Sequence, residues 1–346
     1  MKNIKHKDPV RNFSNPQTML KFVPKYKHLP ENMLGSLEEA IEQQVIKKKM
    51  QLRVRRKYTT NVEACHYIFA CFDGSFFIAD SIPNQSNTLA KILPRNDTIK
   101  TIFQKKLPYI VGIQTILPTS KDILLADMTP TLKLVDRTNG ETRESKFNAG
   151  SLLISAVHVT TDNKVVVGAR SPGDTFPVQG RRVVIVMDVD GRHQAEWEYN
   201  THGGRLFSDP RPSASVSTGN IFLKDRLSID SRGRVIVMSP AGDVLNTYMG
   251  HSDINNPQNP FKPKGMTRTP SDNVIVCDWG NYTLHLLNYK GVSLSYFNTT
   301  MIGIKRPTCI TFDTKDQNII YIGCNTRAAN SNKKAKLYSV EYSETE

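Results

Sequence analysis

From about residue 51 onward the chain is a succession of short apolar runs broken by turn residues, with few stretches of helical period. One hexapeptide recurs: a small or hydrophilic residue, then mainly apolar residues, then commonly Asp. It reads Ser75-Phe-Phe-Ile-Ala-Asp80, Asp122-Ile-Leu-Leu-Ala-Asp127, Lys164-Val-Val-Val-Gly-Ala169, Asn220-Ile-Phe-Leu-Lys-Asp225, Asn273-Val-Ile-Val-Cys-Asp278 and Ile319-Ile-Tyr-Ile-Gly-Cys324. The copies lie about 40–56 residues apart, the spacing of propeller blades. Each is preceded by an alternating or small-residue run suited to an innermost strand and followed by a second apolar run. In four blades that run leads into Gly140, Gly191, Gly242 or Gly291, where glycine permits a tight hairpin, and a further strand follows. The pattern predicts an all-β, six-bladed β-propeller with a short, partly helical N-terminal extension.

The last blade has no outer strand of its own after Tyr342. Gln51–Thr59 is expected to supply it, pairing the two chain ends and covering a sheet edge that would otherwise invite aggregation. The expected organisation is a basic extension over 1–50 and a propeller over 51–346. Within the extension, 1–35 lacks a sustained apolar period. Ser36-Leu-Glu-Glu39 is a capping box opening a short helix over about 36–50, its glutamates first and its lysines last as the helix dipole favours.

Charge sharpens this division. The chain carries a formal net charge of +14, of which residues 1–57, with 14 Lys/Arg against five Asp/Glu, hold +9. No window approaches the length of apolar sequence needed to cross a bilayer, and the lysines near the start are followed by no apolar core, so a cytoplasmic protein without a membrane partner is expected. The five cysteines form no C-x-x-C pair and four lie within strand-like runs, as buried free thiols do. The common nucleophile-elbow, zinc-protease, phosphate-loop and dinucleotide signatures are absent, and no cofactor or structural metal is expected.

The fifth blade, Asn273-Val-Ile-Val-Cys-Asp-Trp-Gly-Asn-Tyr-Thr-Leu-His-Leu-Leu-Asn-Tyr-Lys-Gly291, resembles an NHL-type repeat. Together with Phe22-Val-Pro24, Leu34-Gly-Ser-Leu37 and Thr131-Leu-Lys-Leu-Val-Asp136, it is similar to the C-terminal region of invertebrate tripartite-motif-like proteins. That resemblance implies a propeller that recruits proteins or RNA for a ubiquitin ligase. The zinc-binding RING and B-box of such ligases have no counterpart in the first 64 residues, which hold no Cys and only His6 and His28.

These features lead to a non-enzymatic recognition scaffold binding a protein partner through its loops. Ser171–Arg182 is a long insertion offering Phe176, Arg181 and Arg182 as anchors, and Trp279 and Tyr282 occupy another blade turn. Ser228–Gly233 is a second insertion. The alternative is an RNA-binding propeller using the run Lys47, Lys48, Lys49, Arg53, Arg55, Arg56 and Lys57, although its alternation also suits a charged edge strand. A further alternative is a calcium-dependent lactonase-type hydrolase, with Asp80, Asp127, Asp225 and Asp278 as a carboxylate ring. Those aspartates equally suit hydrogen bonding to turn backbone. His158 and His285 read as packed histidines.

Overall fold

The computed structural model describes residues 48–82, 86–108, 110–115, 122–325 and 334–345. They belong to the second of the chain's two compact units, Met1–Val45 and Ile46–Glu346. Of the helix expected over about 36–50, residues 36–47 with the capping box and the candidate Lys47 lie outside the described residues.

An apolar hexapeptide has both faces to bury, and in this fold it becomes the second strand of a blade, between two neighbouring blades. Strand β1 (Lys49–Thr59) precedes a first blade of β2 (Tyr67–Ala70), β3 (Phe76–Ala79), β4 (Asn87–Arg95) and β5 (Thr98–Leu107). The second blade is β6 (Gly112–Thr115), β7 (Asp122–Ala126), β8 (Thr131–Asp136) and β9 (Thr142–Asn148). The third is β10 (Leu153–Val159), β11 (Val165–Arg170), β12 (Arg182–Met187) and β13 (His193–Trp197). The fourth is β14 (Pro210–Ser215), β15 (Ile221–Arg226), β16 (Gly233–Met238) and β17 (Val244–Tyr248). The fifth is β18 (Pro263–Arg268), β19 (Val274–Asp278), β20 (Thr283–Leu287) and β21 (Ser293–Asn298), and a 3-10 turn at Thr299–Ile302 follows it. The sixth holds β22 (Pro307–Phe312), β23 (Ile319–Cys324) and β24 (Lys336–Thr345). Its ladder order is β22-β23-β24-β1, so the strand from the other end of the ring is its outer member.

Alternate side chains of each second strand feed opposite blade interfaces, as the period of two requires. On β15, Phe222 packs with Phe261, Met266 and Val274 of the fifth blade, while Ile221 and Leu223 pack with Val166 and Val184 of the third. The described core accordingly falls into six apolar clusters, each between adjacent blades. Bulges in the inner strands add polar ties. Ser155 Oγ donates to the carbonyls of Gly168 in its own blade (3.1 Å) and Pro210 in the next (3.4 Å). Thr308 Oγ1 does the same between Gly323 (3.0 Å) and Cys65 (2.5 Å), joining the sixth blade to the first.

One expectation is corrected here. Lys49 and Met50, expected to end a helix, begin β1 and pair with Thr345 and Glu344. Burial of Met50 against the sixth blade outweighs the local helical preference. No helix of the described residues is long and apolar enough to cross a membrane.

Candidate functional site

The innermost strands surround a channel, and the second strands stand behind them. In five blades the fifth place of the hexapeptide is small: Ala79, Ala126, Gly168, Cys277 and Gly323. The neighbouring blade is the reason. A Cβ on Gly168 would overlap the Pro210 carbonyl at the head of β14, and one on Gly323 would lie 2.6 Å from the Cys65 sulfur. The fourth blade departs from the rule, for its fifth place is Lys224.

Lys224 is paired in the ladder with Arg211 of β14, so two cations face each other directly across antiparallel strands. The inner strand of the next blade shifts register between Pro263 and Met266, a bulge that carries Lys264 and Gly265. Arg226 follows at the end of β15. Against these four cations stands one fully buried carboxylate, Asp209, whose Oδ2 lies 3.1 Å from Arg211 Nε and 3.2 Å from Arg226 Nε. Its Oδ1 is buried without a hydrogen-bond partner among the described residues. Lys264 Nζ lies 3.4 Å from Ser231 Oγ, whereas the Lys224 amine has neither a hydrogen bond nor an ion pair among the described residues.

Two cavities meet at this cluster. One, of about 480 Å³, opens on the face formed by connections between second and third strands and is lined by Ile82, Met128, Arg226, Ile229 and Lys264. The other, of about 340 Å³, runs toward the opposite face past His158, Arg268 and Thr311. His66, Tyr67, Val111, Arg211 and Lys224 line both and so form the waist of the channel.

Burial, reinforced by Arg211 and Lys264, pushes the Lys224 ammonium down to about 7. Burial together with Arg211 and Arg226 brings Lys264 down to about 8. The phenol of Tyr67 is pushed up by burial. Arg211 keeps its charge against burial through Asp209. The mouth is therefore cationic, with one amine poised to exchange a proton near neutral pH.

The residues singled out from sequence distribute unevenly around it. Phe176 reaches the mouth, where the Arg226 guanidinium lies 5.1 Å from its ring centroid. Trp279 does likewise, with Lys264 Nζ at 5.8 Å and Arg306 at 5.9 Å. Tyr282 occupies the same β19–β20 connection with a positive φ of 56°. Arg181 turns to the outer strand, binding Glu198 at 2.8 Å as well as Glu196. Arg182 corrects the expectation of an exposed anchor. It is fully buried, and its guanidinium donates to the carbonyls of Ser208, Arg181, Asp174 and Thr175, holding the 171–182 loop in shape.

The basic run lies on the outer edge strand, away from the channel. Arg53 and Arg55 share Glu341, Lys48 meets Glu344 at 3.5 Å, Arg56 faces Asp97 at 3.7 Å, and Lys57 lies over the Tyr338 ring at 5.7 Å. Lys49 is exposed at the start of the strand.

The recurrent aspartates are taken up by local backbone and side-chain donors. Asp225 accepts from the N–H groups of Ser208 and Asp209, each at 2.8 Å, and pairs with Arg234 at 2.9 Å. Asp80 accepts from Thr88 N–H, Asp127 from the Thr129 hydroxyl, and Asp278 from Lys262 N–H and the Asn255 and Asn281 amides. Among the described residues no three His, Cys, Asp or Glu side chains converge as metal ligands. His158 is buried 3.0 Å from Ser215 Oγ and is lowered to about 4 by burial, and His285 is sealed against the Tyr248 hydroxyl at 2.9 Å. Both are packed histidines.

Sequence reasoning passed over Lys224, Arg211, Arg226, Lys264 and Asp209. The available signal was the hexapeptide itself, in which Lys224 is the only residue at the fifth place larger than cysteine.

The ring places the chain in the class of six-bladed β-propellers. No family model and no curated protein sequence matches it. Solved structures do. A luciferin-regenerating enzyme is similar at 11% identity with a TM-score of 0.59, over 85% of this chain and 95% of that one. The PQQ-bound aldose sugar dehydrogenase of Streptomyces coelicolor is similar at 11% identity and 0.59, over 85% and 99%. Virginiamycin B lyase of Staphylococcus aureus is similar at 16% and 0.51, over 85% and 99%.

At such identities the likeness is one of fold, and the six-bladed ring is what it supports of the tripartite-motif resemblance. It also corrects the expectation of a chain that is not an enzyme. The three similar propellers named above are a dehydrogenase, a lyase and a regenerating enzyme.

Proposed function

We propose that the chain is an enzymatic propeller acting on a small anionic molecule seated in the channel mouth. The observation that carries this reading is the cross-strand pair Arg211 and Lys224, joined by Arg226 and Lys264, against the single carboxylate Asp209. Uncompensated cations in a recess focus the field and draw an anion in, and guanidinium groups orient a carboxylate or phosphate by paired hydrogen bonds. The cavity of about 480 Å³ suits a metabolite-sized ligand. Lys224, unpaired among the described residues and lowered to about 7 by burial and the neighbouring cations, is the group placed to act on it.

Of the alternatives drawn from sequence, the lactonase-type hydrolase shares the catalytic part of this reading but not its metal. Calcium requires several converging oxygens. Here the recurrent aspartates are engaged with backbone and amide donors, and the mouth carries the opposite charge.

A panel of organic acids, phosphate esters and neutral sugars, followed by calorimetry for binding and proton NMR for conversion, tests the proposal. Acids or phosphates should bind and be consumed, and the double variant Arg226→Met/Lys264→Met should weaken binding by about tenfold or more. Binding confined to neutral sugars, or indifferent to the double variant, contradicts it.

A further inference from the structure

Within the site, Lys224 differs from its cationic neighbours in making no side-chain hydrogen bond or ion pair among the described residues. Arg211 and Arg226 hold Asp209, and Lys264 reaches Ser231 and the Trp279 ring. Lys224 occupies a place that five blades keep small, and its amine ends at the channel waist without a partner among the described residues. A lysine can serve as a nucleophile only when its nitrogen carries a free lone pair, and flanking cations and burial are the means by which proteins provide one.

We propose that Lys224 captures the carbonyl of a 2-oxo acid as an imine. This rests on the reading of the mouth as an anion site. The same cations that disfavour the Lys224 ammonium hold the acid's carboxylate, which brings the adjacent carbonyl carbon to the amine. The nitrogen lone pair forms a C–N bond at that carbon, and the carbonyl oxygen takes both amine hydrogens and leaves as water. A C=N bond replaces C=O, so the step needs no oxidant or reductant. A simple ketone lacks the carboxylate that would hold it, and a simple carboxylic acid lacks the carbonyl, so the site selects the combination.

Incubating the full chain with pyruvate or 2-oxoglutarate and then with borohydride reads this directly, because hydride reduction fixes the imine as a secondary amine. Intact-mass and peptide measurements should find one adduct per chain, within the peptide carrying Lys224. Acetone under the same conditions should give none. Lys224→Arg, which keeps the positive charge, should retain binding of the acids and lose the adduct.

An adduct scattered over surface lysines, one located on Lys264, or one that persists in Lys224→Arg overturns the proposal. If sulfate and the oxo acids bind but no adduct forms, the imine fails and the anion site stands. If sulfate, the oxo acids and the organic acids all fail to bind, both fail together.

Discussion

At the scale of single residues, the fifth place of the hexapeptide decides both packing and chemistry. Gly323 shows the packing side: a Cβ there meets the sulfurs of Cys65 and Cys309, which are themselves 3.3 Å apart in the wall between the last and first blades. Gly323→Ala should destabilise the chain by about 1–3 kcal/mol in urea unfolding, the usual cost of overfilling a close-packed core. Adding Cys309→Ala should recover part of that loss by removing one of the struck sulfurs. A neutral Gly323→Ala would refute the contact.

Lys224 shows the chemical side. It was legible in principle, since the six copies align without gaps. It was passed over because the Asp that ends four of the copies drew attention as the polar residue, and the register with Arg211 cannot be known before the strands are paired. The burial of Arg182 was equally hidden, because an arginine in an insertion reads as exposed until the carbonyls folding around it are placed.

At the scale of elements, the innermost, second and third strands of every blade were legible because their apolar pattern follows from burial between blades. Two elements were not. The outer strand of the first blade, β5, is mostly exposed or half-buried, and its hairpin turns through Asn96, at φ 47°, where four other blades have glycine. The start of β1 was obscured by local helical preference, which pairing with β24 overrides.

What holds β1 is therefore a question of burial against charge. Tyr58 is 2% exposed and packs beside Ala335 and Leu337, whereas Arg53 and Arg55 are exposed around Glu341. Tyr58→Ala should cost about 3–5 kcal/mol in urea unfolding, and Arg53→Gln/Arg55→Gln should leave the midpoint unchanged. The reverse order would mean that the strand is held electrostatically.

At the scale of the whole molecule, a propeller is a periodic object, and its site is where the period is broken. The ring follows from what the blades share, which is why the fold was legible from one hexapeptide repeated six times. The site follows from what one blade does alone, setting Lys224 beside Arg211 and Arg226, combined with Lys264 and Tyr67, which ring closure brings in from other blades. No local window contains that combination. Sequence reasoning turns to the rim, where Phe176 and Trp279 do lie against Arg226 and Lys264, but Arg211 and Lys224 sit deeper, at the channel waist.

The central claim is that this waist is an anion site whose charge depends on Lys224, and the affinity for sulfate as a function of pH tests it most directly. Sulfate stays fully ionised throughout, so the change belongs to the protein. Bound anion favours the ammonium form, so affinity should be highest below the Lys224 value of about 7 and fall several-fold between about pH 6 and pH 8, as the amine loses its proton. Arg211 and Arg226 remain charged over this range, and Tyr67 stays a neutral phenol. Lys224→Arg should therefore show only the shallower decline left by the other titratable groups of the lining, Lys264, near 8, and His66. A wild-type affinity that is flat across this range, or that rises with pH, would contradict the account.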